Sequence, residues 1–242
     1  MAYLMASLRI ASWLVLVPPY SSKAVPSTVK ALLAFALALA IAPSLRGTVP
    51  PSDTVGLVET ALQEVLVGAV MGFVTYLVLA AAQAAGDLID VFGGFSLAAA
   101  FDPLNQNMNS VNGKLFGLLA TMLLFASNAH LLILGGLLRS FDAVPVGAGW
   151  QLGSVADVMT RAFGLFFASA VQIALPLIAV LFLADLGLAL LTKVAPSLNA
   201  MGIMFPAKIA LTLTVVGLSF AVLPDALSRL TDMLSSALGA LQ

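Results

Sequence analysis

Three aspartates lie close together in a chain that is otherwise poor in charge. Asp87, Asp90 and Asp102 fall within Gly86–Asn112, whereas Asp, Glu, Lys and Arg make up only 9% of the whole sequence. Carboxylates inside apolar segments are expensive unless they pair, and they often mark ion or substrate pathways. These residue types therefore suggest one of three roles: proton relay, contact with a polar cargo, or pairing within the protein.

Glycines accompany the aspartates at helical spacing. At about 100° per residue, small and acidic side chains share one face of the predicted helix, and Leu88, Phe92 and Phe95 lie opposite. A face of this kind suits close approach by another helix or a water-lined cavity, and it is a poor surface for lipid. We therefore identify a candidate helix-packing or pore-lining surface made of Gly86, Asp87, Asp90, Gly93, Gly94, Asp102 and Pro103.

A polar stretch follows Pro103, where the helix is predicted to end. Leu104–Asn112 contains four asparagines and few apolar side chains. Non-helical backbone at membrane depth is tolerated only where it is buried in protein or lines water. The stretch is therefore either a functional element or a solvated loop between two spans.

The composition sets the fold class. Apolar residues make up 61% of the 242 residues and the mean hydropathy is +1.10, well above soluble proteins. The long unbroken apolar runs lack the alternation of membrane strands, so we predict an all-α, polytopic membrane protein with about six helices. The net charge of -1 and the lack of a basic cluster argue against nucleic-acid binding. The length fits one membrane domain, 1–242, and we expect the N-terminal segment to be retained rather than cleaved.

The uncharged runs fall into two length classes. A helix needs about 20 apolar residues to cross the hydrocarbon core. Helices that are too short must be surrounded by protein rather than lipid, so we expect a subunit of a larger assembly. The sufficient runs are Val65–Gly86, Leu115–Leu138 and Ala162–Ala184; the short runs are Ile10–Ser22, Ala31–Leu45 and Ile209–Pro224.

Local signals predict several boundaries. The first helix should end at Pro18-Pro19, and the second should run from Lys30 to Pro43. Ser52 or Asp53 should cap the third helix.

The predicted third helix contains two glutamates and a pair of glycines. Glu59 and Glu64 lie in its first turns, where they interact favourably with the helix N-terminus. Gly68 and Gly72 form a small-xxx-small pair. We interpret the glycine spacing as chance in a helix rich in Gly and Ala.

The chain shows no catalytic constellation. It lacks a phosphate-binding loop, a zincin motif and a serine elbow, and its single histidine, His130, has no acid nearby in sequence. His130 lies in the predicted fourth long helix, and we expect it to bond a neighbouring helix rather than to ligate a metal. We therefore expect no enzyme activity, no metal and no cofactor.

Polar residues also interrupt the last two helices. Asp185 lies between apolar runs, so we predict that it pairs with Lys193 or Lys208, with proton relay as the alternative. A break from Pro196 to Pro206 should join the two helices into a hairpin. The expected buried polar residues of this hairpin are Gln172, Pro176, Asp185, Lys193, Pro196, Asn199, Pro206 and Lys208.

Four blocks of sequence resemble the FliR family, the flagellar members of the type III secretion export-gate proteins. They are RIASWLVLVPPYSSKAVPSTVK (Arg9–Lys30), AGDLIDVFGGFSLAAAFDP (Ala85–Pro103), LLFASNAHLLILGGLLRSFDAVPVG (Leu123–Gly147) and QIALPLIAVLFLADLGLALLTKVAPSLNAMGIMFPAKI (Gln172–Ile209). They cover nearly the whole chain in the family's order. Ala129 stands where the family commonly has Gly, and Lys193 where Arg is common; the block with Asn128 and His130 favours the flagellar branch over the injectisome homologues.

The resemblance implies a place in an assembly. Residues 1–160 would be similar to a FliP-type subunit, and residues 161–242 to the helical hairpin of a FliQ-type subunit. One copy would join FliP-type and FliQ-type subunits and an FlhB-type switch protein in the bacterial inner membrane, as a multi-pass part of the flagellar basal body raised toward the periplasm. Unfolded flagellar proteins would pass in transit.

The resemblance also assigns a role to the polar stretch. In this family, the loop after the Asp-Pro pair plugs the closed pore. The corresponding residues here are Leu104, Asn105, Gln106, Asn107, Met108, Asn109, Ser110, Val111 and Asn112. Met108 and Val111 would seal the pore, and the asparagines would find hydrogen-bond partners in either state.

Two rival interpretations stay open. One is a proton-coupled small-molecule transporter that uses Asp87, Asp90 and Asp185. In the other, these acids only cap helices and form pairs.

Overall fold

The computed structural model describes residues 1–41, 43, 45, 53–95, 110–148, 152–194 and 200–220. These residues form seven α-helices and no strand, which confirms the predicted all-α fold. The helices are α1 Ala2–Leu16, α2 Ser27–Ala40, α3 Thr54–Gly93, α4 Val111–Ala126, α5 Ala129–Ala143, α6 Leu152–Val194 and α7 Ala200–Ser219.

The helix lengths confirm the predicted long and short classes except for the run Leu115–Leu138, which is divided between α4 and α5. Within the described ranges, α3 and the Val155–Val194 part of α6 are long and apolar enough to cross a membrane. The pair α4 and α5 makes a third candidate if it is counted as one broken span. Three apolar helices are shorter, namely α1, α2 and the Met204–Ser219 part of α7.

Two predicted helix boundaries hold and two require correction. The first helix ends before Pro18, and the Asp53 carboxylate accepts a hydrogen bond from the Gly56 N–H at 3.0 Å, as a cap should. The second helix begins at Ser27, earlier than Lys30, because Pro26 takes the N-cap position. It also ends at Ala40, before the predicted stop at Pro43.

The predicted fourth helix is wrong as a single element. The run Leu115–Leu138 is interrupted at Asn128, which is the N-cap residue of α5. The φ of Asn128 is 56°, in the left-handed region. Asn tolerates this conformation better than most residues, so the chain breaks there although its composition stays apolar. The predicted break from Pro196 to Pro206 is also too long, because α7 begins at Ala200 and continues through Pro206.

The described chain divides into two compact units. The first contains residues 1–79 and 124–165, and the second contains residues 80–123 and 166–220, in each case only as far as they are described.

In the first unit, α1 lies against the N-terminal half of α3 at two glycines. A Cβ at Gly68 would overlap the Ser12 hydroxyl and the Arg9 carbonyl, and a Cβ at Gly72 would lie 3.2 Å from the Cα of Trp13. The glycine pair is therefore a packing face, and its interpretation as a chance spacing is wrong. At the end of α1, the Tyr20 ring lies 5.8 Å from that of Trp13, and burial raises the pKa of the Tyr20 phenol.

In the second unit, four helices share one apolar core. α3, α4, α6 and α7 all contribute, with small residues on α3 and α4 allowing close packing. The buried members are Ala82, Ala85, Ile89, Phe116, Ala120, Ala174, Leu177, Leu181 and Val216.

The two long helices differ in how much of their apolar surface the chain covers. Over the most apolar 18-residue stretch of each helix, 56% of the stretch is buried in α3 but only 17% in α6. Since the hydropathy of the two windows is similar, 2.3 and 2.5, α6 presents most of its apolar surface outward. Such a surface needs lipid or another protein to cover it.

Candidate functional site

Asp90 forms a clasp, defined here as its hydrogen bonds to Ser110 and Asn112. Its side chain lies near the end of α3 and is only 4% exposed. One carboxylate oxygen accepts hydrogen bonds from the Ser110 hydroxyl at 2.5 Å and the Asn112 backbone N–H at 3.1 Å. The other accepts one from the Asn112 side-chain amide at 2.5 Å. Three donors thus satisfy a carboxylate that burial would otherwise penalise.

The clasp is built on the N-cap of α4. Ser110 precedes the helix, and its hydroxyl oxygen accepts a hydrogen bond from the Gly113 N–H at 2.7 Å while its O–H donates to Asp90. The negative charge of Asp90 lies at the positive end of the α4 dipole, which is the favourable arrangement. Asp90 therefore caps a helix that is separate from its own.

Glycines allow α3 and α4 to approach each other at this point. A Cβ at Gly86 would lie 2.6 Å from the carbonyl carbon of Asn112 and 2.7 Å from the Cα of Gly113. A Cβ at Gly113 would in turn overlap the Asp87 carboxylate. Asp87 itself is exposed, whereas Asp90, the other acid of the predicted face on α3, is buried.

The end of α3 also lies against α7. Gly93 is buried, and a Cβ there would come within 2.7 Å of a methyl carbon of Thr212. The Thr212 hydroxyl lies 3.4 Å from the Gly93 carbonyl oxygen and donates to the Lys208 carbonyl at 2.8 Å. Gly94 has a φ of +85°, a left-handed conformation that favours glycine at a helix end.

The structure shortens the predicted plug loop. Because α4 begins at Val111 and Ser110 caps it, Val111 and Asn112 belong to a helix rather than to a loop. Asn112 is 1% exposed and its side-chain amide donates to Asp90, so it is a buried member of the clasp rather than a solvated loop residue. Val111 is exposed. Asp102, Pro103 and Leu104–Asn109 lie outside the described residues.

Asp185 pairs with Lys208, one of its two predicted partners. The Lys208 ammonium lies 2.8 Å from the Asp185 carboxylate, which joins α6 to α7. The side chains are 20% exposed for Lys208 and 39% for Asp185, so the pair is only partly buried within this chain.

The other expected members of the polar hairpin do not gather around this pair. Lys193, Gln172, Pro176 and Pro206 are exposed on their helices. The expectation of burial is therefore wrong for them within the described chain. Lys193, Gln172 and Pro176 lie on α6, which presents most of its surface outward, and Pro206 lies on α7. Pro196 and Asn199 lie outside the described residues.

A second buried charge cluster was not predicted. Arg9 of α1 donates to both oxygens of Glu64 on α3, at 2.7 and 3.0 Å, and to the carbonyl oxygens of Ser140 and Val144, at 3.2 and 2.8 Å. Its guanidinium lies 4.2 Å from the centre of the Phe141 ring. The predicted role of Glu64 in the first turns of its helix is wrong, because α3 begins at Thr54 and has no acid in its first turn. Nothing near Glu64 in the sequence indicates a partner so distant in the chain.

His130 lies in the first turn of α5, beside the helix break. Its ring centre is 4.9 Å from that of Phe125, and its Nδ1 has no hydrogen-bond partner among the described residues. In the part of the chain that the structure describes, no three His, Asp or Glu side chains converge to hold a metal ion. The contacts described at this site hold helices against one another.

Comparison with known proteins gives one consistent family. Residues 1–234 match the family model "Bacterial export proteins, family 1". The chain is similar to the flagellar biosynthetic protein FliR of Escherichia coli, with 34% identity over 92% of this chain and 84% of the relative. The FliR of Bacillus subtilis is 30% identical over 92% and 87%. The Yop proteins translocation protein T of Yersinia pestis is 30% identical over 62% of this chain and 58% of the relative.

Proposed function

Because this chain belongs to the family of bacterial export proteins that includes the flagellar biosynthetic protein FliR, we propose that it is a core subunit of the flagellar type III protein export gate. The family match over residues 1–234 carries this proposal. The similarity to FliR proteins extends over most of the length of both chains, so it is not confined to one shared segment.

The fold supports a role inside an assembly. Short apolar helices such as α1 and α2 cannot span a membrane alone, and the described part of the chain leaves the apolar surface of α6 largely uncovered. Both features are expected of a subunit that neighbouring subunits surround. We infer that FliP-type and FliQ-type subunits are these neighbours, that an FlhB-type switch protein also contacts the gate, and that the whole lies in the bacterial inner membrane at the basal body.

The proposed mechanism is gating without a chemical step. Unfolded flagellar proteins pass through the pore when a plug in this subunit is displaced. We assign the plug to Leu104–Asn109, which resembles the plug loop of the family, and we place its C-terminal end at the Ser110 cap of α4. The helices on either side of the plug would then be held by Asp90 and by the close packing at Gly86, Gly93 and Gly94.

The transporter alternative gains no support. It requires carboxylates that are free to exchange protons along a pathway. Asp90 instead accepts three hydrogen bonds from its own chain, and Asp185 pairs with Lys208. In these contacts Asp90 caps a helix and Asp185 forms an ion pair, as the interpretation of the acids as structural residues expects.

Deleting Leu104–Asn109 in the otherwise complete export apparatus tests the proposal. We expect the complex to assemble and to leak carboxyfluorescein when it is purified and reconstituted in liposomes, because the pore lacks its closure. The unaltered complex is the control. An assembled deletion complex that retains the dye as well as the control would contradict the plug assignment.

Co-purification tests the assembly itself. Extraction in a mild detergent should recover this chain together with two other small helical membrane proteins. Recovery of the chain alone, with proton-driven uptake of a small solute in liposomes, would instead favour the transporter.

A further inference from the structure

The first two helices form an apolar hairpin in which α2 is the outer member. α1 lies on α3 at Gly68 and Gly72, and α2 packs against α1. Within α2, Ala34 and Ala38 are the only buried residues. The described chain therefore leaves most of the surface of α2 uncovered. The large apolar side chains exposed on this surface are Val29, Leu32, Leu33, Phe35 and Leu39.

Two lysines lie at the closed end of this hairpin. Lys23 is exposed in the turn between the two helices, and Lys30 is half-buried in the first turn of α2. Side chains on a helix lean toward its N-terminus, so Lys30 extends toward the turn that contains Lys23. The helix dipole disfavours a cation at this end of α2, so the stability of the helix does not account for Lys30.

The described chain supplies no counter-charge to these lysines. Residues 1–52 contain four Lys and Arg residues and no Asp or Glu. Of the four, Arg9 is neutralised by Glu64, which lies about 12 Å along α3 from Gly72, where α1 ends. α3 has no acid between Glu64 and Asp87. Among the described residues, neither lysine is in an ion pair. The closed end of the hairpin is therefore a surface of positive charge.

A phospholipid fits this surface better than another protein helix does. Membrane helices pack on one another mainly through small side chains. Ala34 and Ala38 are already buried within the chain, whereas the largest side chains of α2 are exposed. With 14 residues, α2 is about 21 Å long, so it can enter the hydrocarbon core of about 30 Å from one side without crossing it. The lysines would then lie at the level of the headgroups, where their charge complements a phosphate.

We propose that the hairpin of α1 and α2 binds an anionic phospholipid. The acyl chains lie along the exposed face of α2, and the phosphate lies at Lys23 and Lys30. A lysine keeps its aliphatic stem on apolar surface while its ammonium reaches the headgroup level. Basic residues beside a membrane attract anionic headgroups in this way. The inference does not depend on the export role, because it concerns only the contact between this hairpin and the membrane.

Lipid titration followed by native mass spectrometry tests the proposal. The chain is extracted in mild detergent with the subunits that accompany it, and bound lipids are counted as phosphatidylglycerol or phosphatidylcholine is added. We expect phosphatidylglycerol to bind more tightly, because it carries a net negative charge. Lys23→Gln and Lys30→Gln should each weaken its binding about fivefold, and the double variant about 25-fold. Replacing both lysines with Arg should preserve the binding, because the charges remain.

Lys193→Gln is the matched control. Lys193 is an exposed lysine in the last turn of α6, which is also an apolar helix. Its replacement removes the same charge at a distant point in the sequence and leaves the hairpin unchanged. The affinity for phosphatidylglycerol should equal that of the parent chain. A loss as large as that of the double variant would show that the effect depends on net charge rather than on this site.

A fluorescence reporter tests whether lipid covers the face of α2. Phe35→Trp places an indole on this face, where Phe35 is 46% exposed. The variant is reconstituted in phosphatidylglycerol vesicles with brominated acyl chains, which quench tryptophan on contact. The parent chain has two tryptophans, so its quenching is subtracted. We expect strong additional quenching from the new indole.

The remaining outcomes would overturn the proposal. Equal binding of the two lipids, or unchanged binding of phosphatidylglycerol by the double Gln variant, would show that the lysines do not hold a headgroup. Loss of an accompanying subunit from the double variant, with no quenching of Phe35→Trp, would show that a protein covers this surface. If the double variant does not fold, the single variants decide the question. If neither single variant folds, the lysines serve the fold of the chain and the proposal fails.

Discussion

Arg9 and Glu64 lie 55 residues apart in the chain and form a bidentate ion pair in which neither residue is more than 1% exposed. Glu64 also accepts a hydrogen bond from the Gly147 N–H at 3.2 Å. The pair therefore joins α1, α3 and the segment after α5 within the first unit. Buried charges of this kind are tolerated only when each is paired and bonded, as here.

Replacing one member of this pair should be strongly destabilising. Glu64→Gln leaves the Arg9 guanidinium buried without a counter-charge, which we expect to cost about 3–5 kcal/mol of unfolding free energy. The measurement is reversible unfolding of the purified chain in detergent. Glu59→Gln, an exposed acid on the same helix, is the control and should change stability by less than about 0.5 kcal/mol. Equal losses in the two variants would contradict the buried pair.

A methyl group at Gly68 should disrupt the packing of α1 on α3. The new Cβ would overlap backbone and side-chain atoms of α1, so Gly68→Ala should cost about 1–3 kcal/mol. Gly135→Ala is the matched control, because open space surrounds the Cβ position there and Ala favours a helix by about 1 kcal/mol over Gly. Thermal unfolding of the two variants should shift in opposite directions; a stabilised Gly68→Ala would disprove the close contact.

The ion pair between Asp185 and Lys208 should contribute little to the isolated chain. Asp185 is 39% exposed, so solvent screens the attraction and Asp185→Asn should cost less than about 1 kcal/mol. The loss should shrink further at high salt. Unfolding at two salt concentrations measures it, and the exchange variant Asp185→Lys with Lys208→Asp should restore most of the loss. A large, salt-independent loss would show that the pair is shielded from solvent.

The left-handed residue at the break between α4 and α5 gives a test of backbone conformation. At Asn128, with φ at 56°, a branched side chain such as Val should cost more than about 1–2 kcal/mol, whereas Gly should be nearly neutral. Thermal unfolding of Asn128→Val and Asn128→Gly measures the difference. Equal stability of the two variants would contradict a break at this residue.

Composition and run length were enough to predict the fold class. Long apolar runs without alternation predicted helices, and the shortness of runs such as Ile10–Ser22 correctly predicted that some apolar helices are short. The pairing of Asp185 was also predictable, because an acid between apolar runs needs a cation and few are available in the hairpin.

Features that depend on distant contacts were not predictable. Nothing near Glu64 in sequence indicates Arg9, and its position early in α3 favoured a simpler role at the helix N-terminus. The helix break at Asn128 could not be predicted because the neighbouring residues are apolar, although Asn is one of the residues that tolerate a positive φ. At the candidate site, the acidic face was visible in the sequence. The capping of α4 by Asp90 was not, because it requires knowing where α4 begins.

The bare apolar surface of α6 sets a condition on biosynthesis. If this chain is synthesised before its neighbouring subunits, the described part of the chain leaves most of the apolar surface of α6 uncovered. Chaperones and proteases in cells continuously act on incompletely folded protein. The abundance of this polypeptide should therefore follow the supply of the proteins that cover α6, so that surplus copies are cleared and the ratio of components corrects itself.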